Sequence, residues 1–517
     1  MRIPAFALLL VSFSAAFAEG SEKFSLTFTN DLLFQRNSLA TEQGMDELKP
    51  NQFQEAFSVL GNYRFEGGAT LTGGLTARSM NFYKEYWTTT LRETDSSLYR
   101  KYLRLTADGL NLQLGDFNTV MGRGLVLSVV QNDAILKDWT ILGADAHYQK
   151  GGWTFHALSG TVSNNMPHLN QRSLQVFQKW SVLGGEASVE FLKGNRLGYH
   201  LSRIDDKDAM PGIGLGQPFS KGRRLTQSLS LEGSNLLGAL DYYVEAGSLR
   251  FQDQSSTIPF PHLDPTKGKA LYSTTAYHRG GLFLMAEYKR YEHFDNELNN
   301  PPLADRGTEV VNKNDSSGQR LLAQYTFANP DLTLFASGGR YLEGDLFLQR
   351  RFSGSNVYGG FKLEDWHDRI SASYTYGFKT THKDPGVMIG NYPERRSEAT
   401  FSYKFTPKWS LDLSLKDRRR KLIGQEPWQQ SDYHVQLSHS PLWAVFYTHQ
   451  FLSETGTKIN PFTSHHLYSG GFRVNLPKGS YLEFSGGKMH GGEVCSGGQC
   501  VTLEAFKGWK FDTHIRF

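Results

Sequence analysis

The sequence predicts an all-β fold, a transmembrane up-and-down antiparallel β-barrel of about 24 strands, within roughly 22 to 26. Three observations predict it. Apolar residues recur at every second position in segment after segment, short turns alternate with long polar stretches along the whole chain, and the chain ends on a strand with two unlike faces. In that last segment Trp509, Phe511, Thr513, Ile515 and Phe517 alternate with Lys510, Asp512, His514 and Arg516. A period of two puts the first set on one face of a strand and the second set on the other.

The alternation opens at Phe24, Leu26 and Phe28 and returns at Leu71, Leu75 and Ala77, then at Leu110, Leu112 and Leu114. Leu197, Tyr199 and Leu201 follow, then Ile370, Ala372, Tyr374, Tyr376 and Phe378, then Phe401, Tyr403 and Phe405, then Trp409, Leu411, Leu413 and Leu415. Opposite the Trp409 series stand Ser410, Asp412, Ser414, Lys416, Arg418 and Arg420. One face suits hydrocarbon and the other water, which is the pattern of a membrane barrel.

The connections fix the topology. Short turns are marked by Gly67-Gly68, Asp108-Gly109, Gly151-Gly152, Gly194-Asn195, Gly233-Ser234-Asn235, Gly280, Asn329-Pro330, residues 364–368, Ser440-Pro441 and Pro477-Lys478-Gly479, most of them residue types that tight hairpins require. Between them fall long stretches, among them residues 35–51, 80–96, 119–137, 205–222, 295–317 and 488–499. About eleven turns and about twelve long connections give an even strand number with both termini on one side. Outer-membrane barrels keep short turns in the periplasm and long loops outside, so both termini are expected in the periplasm. The hairpin repeat of roughly 40 residues is shared with propeller blades and decides nothing. The loop alternation does.

Composition excludes other classes. The 517 residues contain 35 Phe, 24 Tyr and 52 Gly but 18 Pro, which suits many strands, tight turns and aromatic girdles. Basic and acidic residues nearly balance, 55 against 51, and no basic-aromatic motif argues for nucleic acid. No mature segment reaches the roughly 18 unbroken apolar residues of a membrane helix. Residues 1–18 read as a signal peptide, with Arg2, an apolar run over residues 3–13 and the cleavage sequence Ala16-Phe17-Ala18. Residues 19–517 then form one barrel domain. No metal or cofactor is expected and the protein is not expected to be an enzyme, because H-E-x-x-H, C-x-x-C-H and G-x-S-x-G do not occur. His434, His439, His449, His465, His466 and His490 lack ligand spacing and are expected to be exposed or lumenal.

A barrel this wide cannot be filled by wall side chains. Loops must fold inward, a partner must occupy the lumen, or the barrel must flatten. Residues 119–137 are the candidate inward loop, because the run from Val120 to Val130 is too apolar for a free surface loop. Gly122 and Gly124 permit positive φ or close approach on each side of Arg123, which Asp116 is placed to pair. The alternative is a short extra strand or core loop. Asp116, Arg123, Lys416, Arg418 and Arg420 are the candidate pore-lining and constriction residues. The last three share lumen parity, while Arg419 has the lipid parity and faces lipopolysaccharide phosphate. Cys495 and Cys500 flank a four-residue turn and are expected to form a disulfide, with a metal or redox thiol role as the alternative.

Gly115-Asp116-Phe117 with Gly122-Arg123-Gly124-Leu125-Val126-Leu127, and residues 491–500 with Phe506-Lys507-Gly508, resemble a family of large, uncharacterised outer-membrane β-barrel proteins of Gram-negative bacteria. The final strand is similar to the carboxy-terminal strand of such proteins, in which a terminal aromatic is read by the barrel-assembly machinery. That resemblance makes Trp509, Phe511, Ile515 and Phe517 the insertion signal. It implies fold and location, with outer-membrane lipid and lipopolysaccharide as surroundings, and supplies no substrate. The expected function is a wide pore or translocation channel constricted by infolded loops. The alternatives are a sheath whose lumen holds a secreted polypeptide, a lipoprotein or an electron-carrying cytochrome, and, less favoured, a rim enzyme or adhesin.

Overall fold

In the computed structural model, described over residues 23–38, 51–80, 95–132, 137–164, 180–206, 222–252, 267–296, 298–302, 315–345, 350–382, 392–421, 427–455, 462–496, 499–503 and 505–517, the chain forms a closed antiparallel barrel of 24 strands. Each strand pairs with its sequence neighbours, and the first, Phe24–Asn37, pairs with the last, Phe506–Arg516. Closure leaves no sheet edge, so every strand has partners on both sides, which a membrane interior demands. The expected signal peptide, residues 1–18, lies outside the described residues.

Turns and loops fall as the sequence predicts. Gly151 and Gly152 join Lys137–Lys150 to Trp153–Asn164 with φ of 60° and 83°, values that L side chains adopt at a cost. Two turns move by a few residues. Arg223–Leu236 continues through the expected Gly233-Ser234-Asn235 turn, so the reversal falls at residues 237–239. Arg350–Trp366 likewise runs past Glu364, and its turn is residues 367–369. Of the long connection expected over residues 346–352, residues 350–352 belong to Arg350–Trp366 and the rest lie outside the described residues.

Parity sorts the side chains. One face exposes Leu75, Leu103, Leu114, Leu183, Leu229, Leu321, Val357, Phe378, Tyr433 and Phe472. A contiguous apolar surface of this kind does not persist in water, and hydrocarbon satisfies it. The opposite face carries Ser, Thr, Asn, His and charged groups. Ser373 Oγ and Thr400 Oγ1 are 2.6 Å apart, and Gln450 Nε2 donates to Asp432 Oδ1 at 2.8 Å.

The closing seam is staggered. Thr29 pairs with Arg516 and Asn37 with Gly508, while the Phe28 carbonyl accepts from the Phe517 N–H at 3.0 Å. Alternation alone points to pairing around Phe24 to Phe28. The strand tilt required to close a barrel displaces the register toward the loop end. On the outer face the Trp509 ring lies 5.2 Å from Phe34 and 6.1 Å from Phe484, which ties the last strand to both partners. The Cys495–Cys500 expectation falls on a separate hairpin, Gly492–Ser496 with Gln499–Leu503. There the backbone register sets the two cysteines directly opposite, but their side chains lie outside the described residues.

Candidate functional site

After Leu110–Phe117 the chain leaves the wall, forms a small hairpin from Thr119–Met121 and Leu127–Val129, and rejoins it at Gln131. Met121, Val126, Leu127 and Val129 are fully buried against Ile141, Leu158, Val162, Val182 and Ile204. Those wall residues have the parity opposite to outward-facing Leu142, Phe155, Leu183 and Tyr199, so the hairpin packs on the inner face. Leu125 enters a second cluster with Tyr243, Leu249, Tyr272, Tyr291 and Phe294. Each fully buried aliphatic of this size contributes about 1.5–3 kcal/mol relative to exposure. That is why so apolar a segment sits inside.

The tip explains its glycines. Gly122, Arg123 and Gly124 have φ of 54°, 40° and 82°. A Cβ on Gly122 would lie 2.1 Å from Glu245 Oε1, and one on Gly124 would lie 2.5 Å from the Asn300 carbonyl oxygen. Both positions therefore need glycine for conformation and for space. Arg123 is exposed, with its guanidinium 4.6 Å from the Tyr243 ring centroid, a cation–π distance. Glu245 beneath the tip is fully buried, and its two oxygens accept from Ser228 Oγ at 2.5 Å and Tyr243 Oη at 2.6 Å.

A second segment, residues 293–302, wedges against the hairpin, and sequence periodicity gives no sign of it. Asn296 Nδ2 donates to the Val126 carbonyl and to Thr226 Oγ1, both at 2.9 Å, and the Val126 carbonyl also accepts from Ser202 Oγ at 3.0 Å. Ser128 N donates to the Leu298 carbonyl at 2.6 Å and Asn300 N to the Gly124 carbonyl at 2.9 Å. Buried backbone groups need partners, and these asparagine and main-chain contacts supply them where no ladder runs.

The remaining expected site residues separate. Asp116 does not pair with Arg123. Gly115 turns the backbone with φ of 101°, and the Asp116 carboxylate accepts from the Lys101 N–H at 2.7 Å, in place of a ladder carbonyl. Its register partner is outward-facing Leu142, so Asp116 belongs to the wall rather than the lumen. Arg418 and Arg420 do share the lumen face with Lys416. Both are engaged: Arg418 Nε donates to Glu394 Oε1 at 2.8 Å, and Arg420 Nη2 to Glu394 Oε2 at 2.7 Å, with Arg396 on the same carboxylate. Both guanidiniums also lie over the Trp428 ring, at 5.5 and 5.3 Å. Lys416 is exposed between Glu398 and Asp432 in register.

Sequence reasoning also passed over a belt of titratable groups on the lumenal face next to the hairpin. It comprises Asp145, His147 and His156, then Glu186 and His200, whose Nδ1 lies 3.1 Å from Glu186 Oε2. The signal was present. Asp145 and His147 are two apart on one strand, and a Gly-Gly turn pairing Lys150 with Trp153 sets His147 opposite His156.

No protein-family model matches the sequence, and no curated protein matches it. Solved structures do match. The siderophore receptor PirA of Pseudomonas aeruginosa superposes with a TM-score of 0.50 at 10% identity, covering 96% of this chain and 81% of that one. A variant of the ferric enterobactin receptor PfeA of the same organism, in complex with enterobactin, gives 0.50 at 10% identity, covering 95% and 81%. OccK9 (OpdG) of Pseudomonas aeruginosa gives 0.42 at 17% identity over 75% and 98%. The likeness to the two receptors is one of fold.

Proposed function

We propose that this chain is an outer-membrane passage whose lumen is narrowed by its own hairpin, with the wedge of residues 293–302 holding the hairpin in place. The observation that carries this is the complete burial of Met121, Leu125, Val126 and Leu127 on the inner face, with Arg123 left exposed at the tip. Similarity in fold to a siderophore receptor and a ferric enterobactin receptor supports it. In this reading the short turns and both termini are periplasmic, residues 1–18 direct export, and Trp509, Phe511, Ile515 and Phe517 serve recognition by the assembly machinery. Cys495 and Cys500 clasp an external hairpin by a disulfide. Arg123 and Lys416 are the cations that a passing solute meets, and the Glu394 clamp fixes Arg418 and Arg420 on the wall.

The test is conductance in a planar bilayer. Deleting residues 119–132 is expected to raise the unit conductance severalfold over the full chain. Equal conductance with and without the hairpin sinks the constriction reading. A silent deletion variant that co-purifies with a lumenal protein instead supports the sheath, which the polar inner wall from Asp315 onward would suit.

A further inference from the structure

We infer that Asp145, His147 and His156 form a binding site for one divalent transition-metal ion, of the Zn²⁺, Cu²⁺ or Ni²⁺ class, on the lumenal wall. Asp145 and His147 point the same way from Lys137–Lys150, and His156 projects beside them from Trp153–Asn164. His156 Nε2 lies 2.6 Å from Asp145 Oδ1, and His147 Nε2 lies 3.1 Å from Oδ2. The two rings stack with centroids 3.6 Å apart and planes 17° from parallel. Both Nε2 atoms thus converge on one carboxylate, and the donor atoms of all three residues lie within 4.8 Å of one another.

The same atoms that make two hydrogen bonds without a metal are placed to ligate one. A carboxylate only accepts, so each Nε2 carries the proton in the metal-free state. If both rings are neutral, moving each proton to Nδ1 frees two nitrogen lone pairs beside a carboxylate, with no net proton released. Metal bonds of about 2.0–2.2 Å set tetrahedral ligand atoms roughly 3.3 Å apart, within the range that these atoms already span. A set of two imidazoles and one carboxylate selects borderline transition ions over Ca²⁺ or Mg²⁺, which require more oxygen ligands.

The surroundings favour a cation and leave it accessible. Glu186 is the register partner of His156 on the next strand and adds a second carboxylate to the belt. The His147 side chain is 43% exposed, while that of His156 is 3% exposed. The site is therefore anchored on the wall and open toward the lumen, with coordination positions left for water or for a donor on a passing solute. Ile141 under the hairpin precedes Asp145 by four residues, about 13 Å along the strand toward the short-turn end. A cation clearing the hairpin meets this site next.

The experiment uses the untagged full chain in detergent, stripped with chelator and titrated with Cu²⁺ under electron paramagnetic resonance and with Zn²⁺ by calorimetry. One ion per chain is expected, with hyperfine coupling to two imidazole nitrogens. H147Q should lose one nitrogen, and H147Q/H156Q should weaken binding at least about tenfold. Heat-modifiable migration on gels verifies folding, and H147Q, altering the half-exposed ring, guards against collapse of the buried one. H449Q/H466Q removes the exposed histidine pair 2.9 Å apart and should change nothing. Binding that survives H147Q/H156Q, or that vanishes with H449Q/H466Q, overturns the assignment. Neither outcome depends on whether the barrel conducts.

Discussion

The two halves of the lumenal wall differ in kind. From Lys137 to Glu292 the inner face carries Ile141, Leu158, Val162, Val182, Ile204, Leu249 and Tyr291, all covered by the hairpin and its wedge. From Asp315 to Arg516 it carries Ser337, Asn356, Thr400, Asp432 and His434, and what packs on it among the described residues is short: Phe462 and Ala505 on Leu467, and His490 on Asp432. The difference teaches where a barrel hides a plug. Strict apolar-polar alternation marks a wall wetted on one side. Strands apolar on both faces, such as the run Val182-Leu183, mark a wall with something packed inside.

The comparison breaks most readily at the hairpin tip. Replacing Gly122 by Val forces a side chain into Glu245 at a backbone conformation that β-branched residues avoid, so the hairpin should unseat. Single-channel recordings are expected to show a severalfold larger conductance in G122V, and protease should cut near residues 122–126. An unaltered channel would mean that the hairpin does not set the bore.

On the polar half of the wall the strongest effect is expected at Glu394. Three arginines share this buried carboxylate. E394Q leaves them to repel one another and should destabilise the barrel by about 2–3 kcal/mol, below the full value of a buried pair because the guanidiniums are partly solvated. A gel-shift unfolding series resolves this; its conductance should change less than that of G122V. Asn296→Ala strips the Val126 carbonyl of one donor and is expected to cost about 1–2 kcal/mol of hairpin docking, read as faster amide exchange over residues 121–129.

The smallest effect is at His490, beyond the end of Tyr481–Met489. Burial lowers its pKa, but the hydrogen bond to Asp432, the Gly491 carbonyl and the Asp432 charge together outweigh it, and the net shift is upward. A raised histidine stabilises fully below its unfolded pKa of about 6.5 and loses that contribution as pH rises through the folded value. The stability difference between wild type and H490Q should therefore be greatest in mild acid and fade above neutrality. The opposite slope would mean that His490 is neutral in the fold.

Most of the fold was legible because turn chemistry and the two-residue period act locally. Gly151-Gly152 and Asn329-Pro330 each fix a reversal by themselves. The seam register was not legible, since it depends on the tilt of all the strands together. The apolar run of residues 120–130 and the glycines at 122 and 124 were readable, and they account for the burial of Met121, Val126, Leu127 and Val129 and for the positive φ at the tip. Asp116 stands apart from Arg123 because it shares the parity of outward-facing Leu112 and Leu114, and the Lys101 N–H engages its carboxylate. The wedge stayed hidden because Asn296, Asn299 and Asn300 look like an ordinary polar loop, and their amide chemistry appears only against the hairpin. The histidine belt was readable from the Gly151-Gly152 turn, which sets His147 opposite His156, but no linear motif spacing expresses it.

The hairpin's attachment has a kinetic consequence. It hangs from two strands zipped to each other, Phe117 opposite Ile141 and Gln131 opposite Asp138, with Asn118 Nδ2 donating to the Trp139 carbonyl at 2.6 Å. A hairpin tethered at both ends cannot diffuse away. Its recapture by the wall is a first-order event, driven by a local concentration of order mM that the short tether sets. The dwell time of the open state should then be the same however sparsely the barrels are scattered through the membrane.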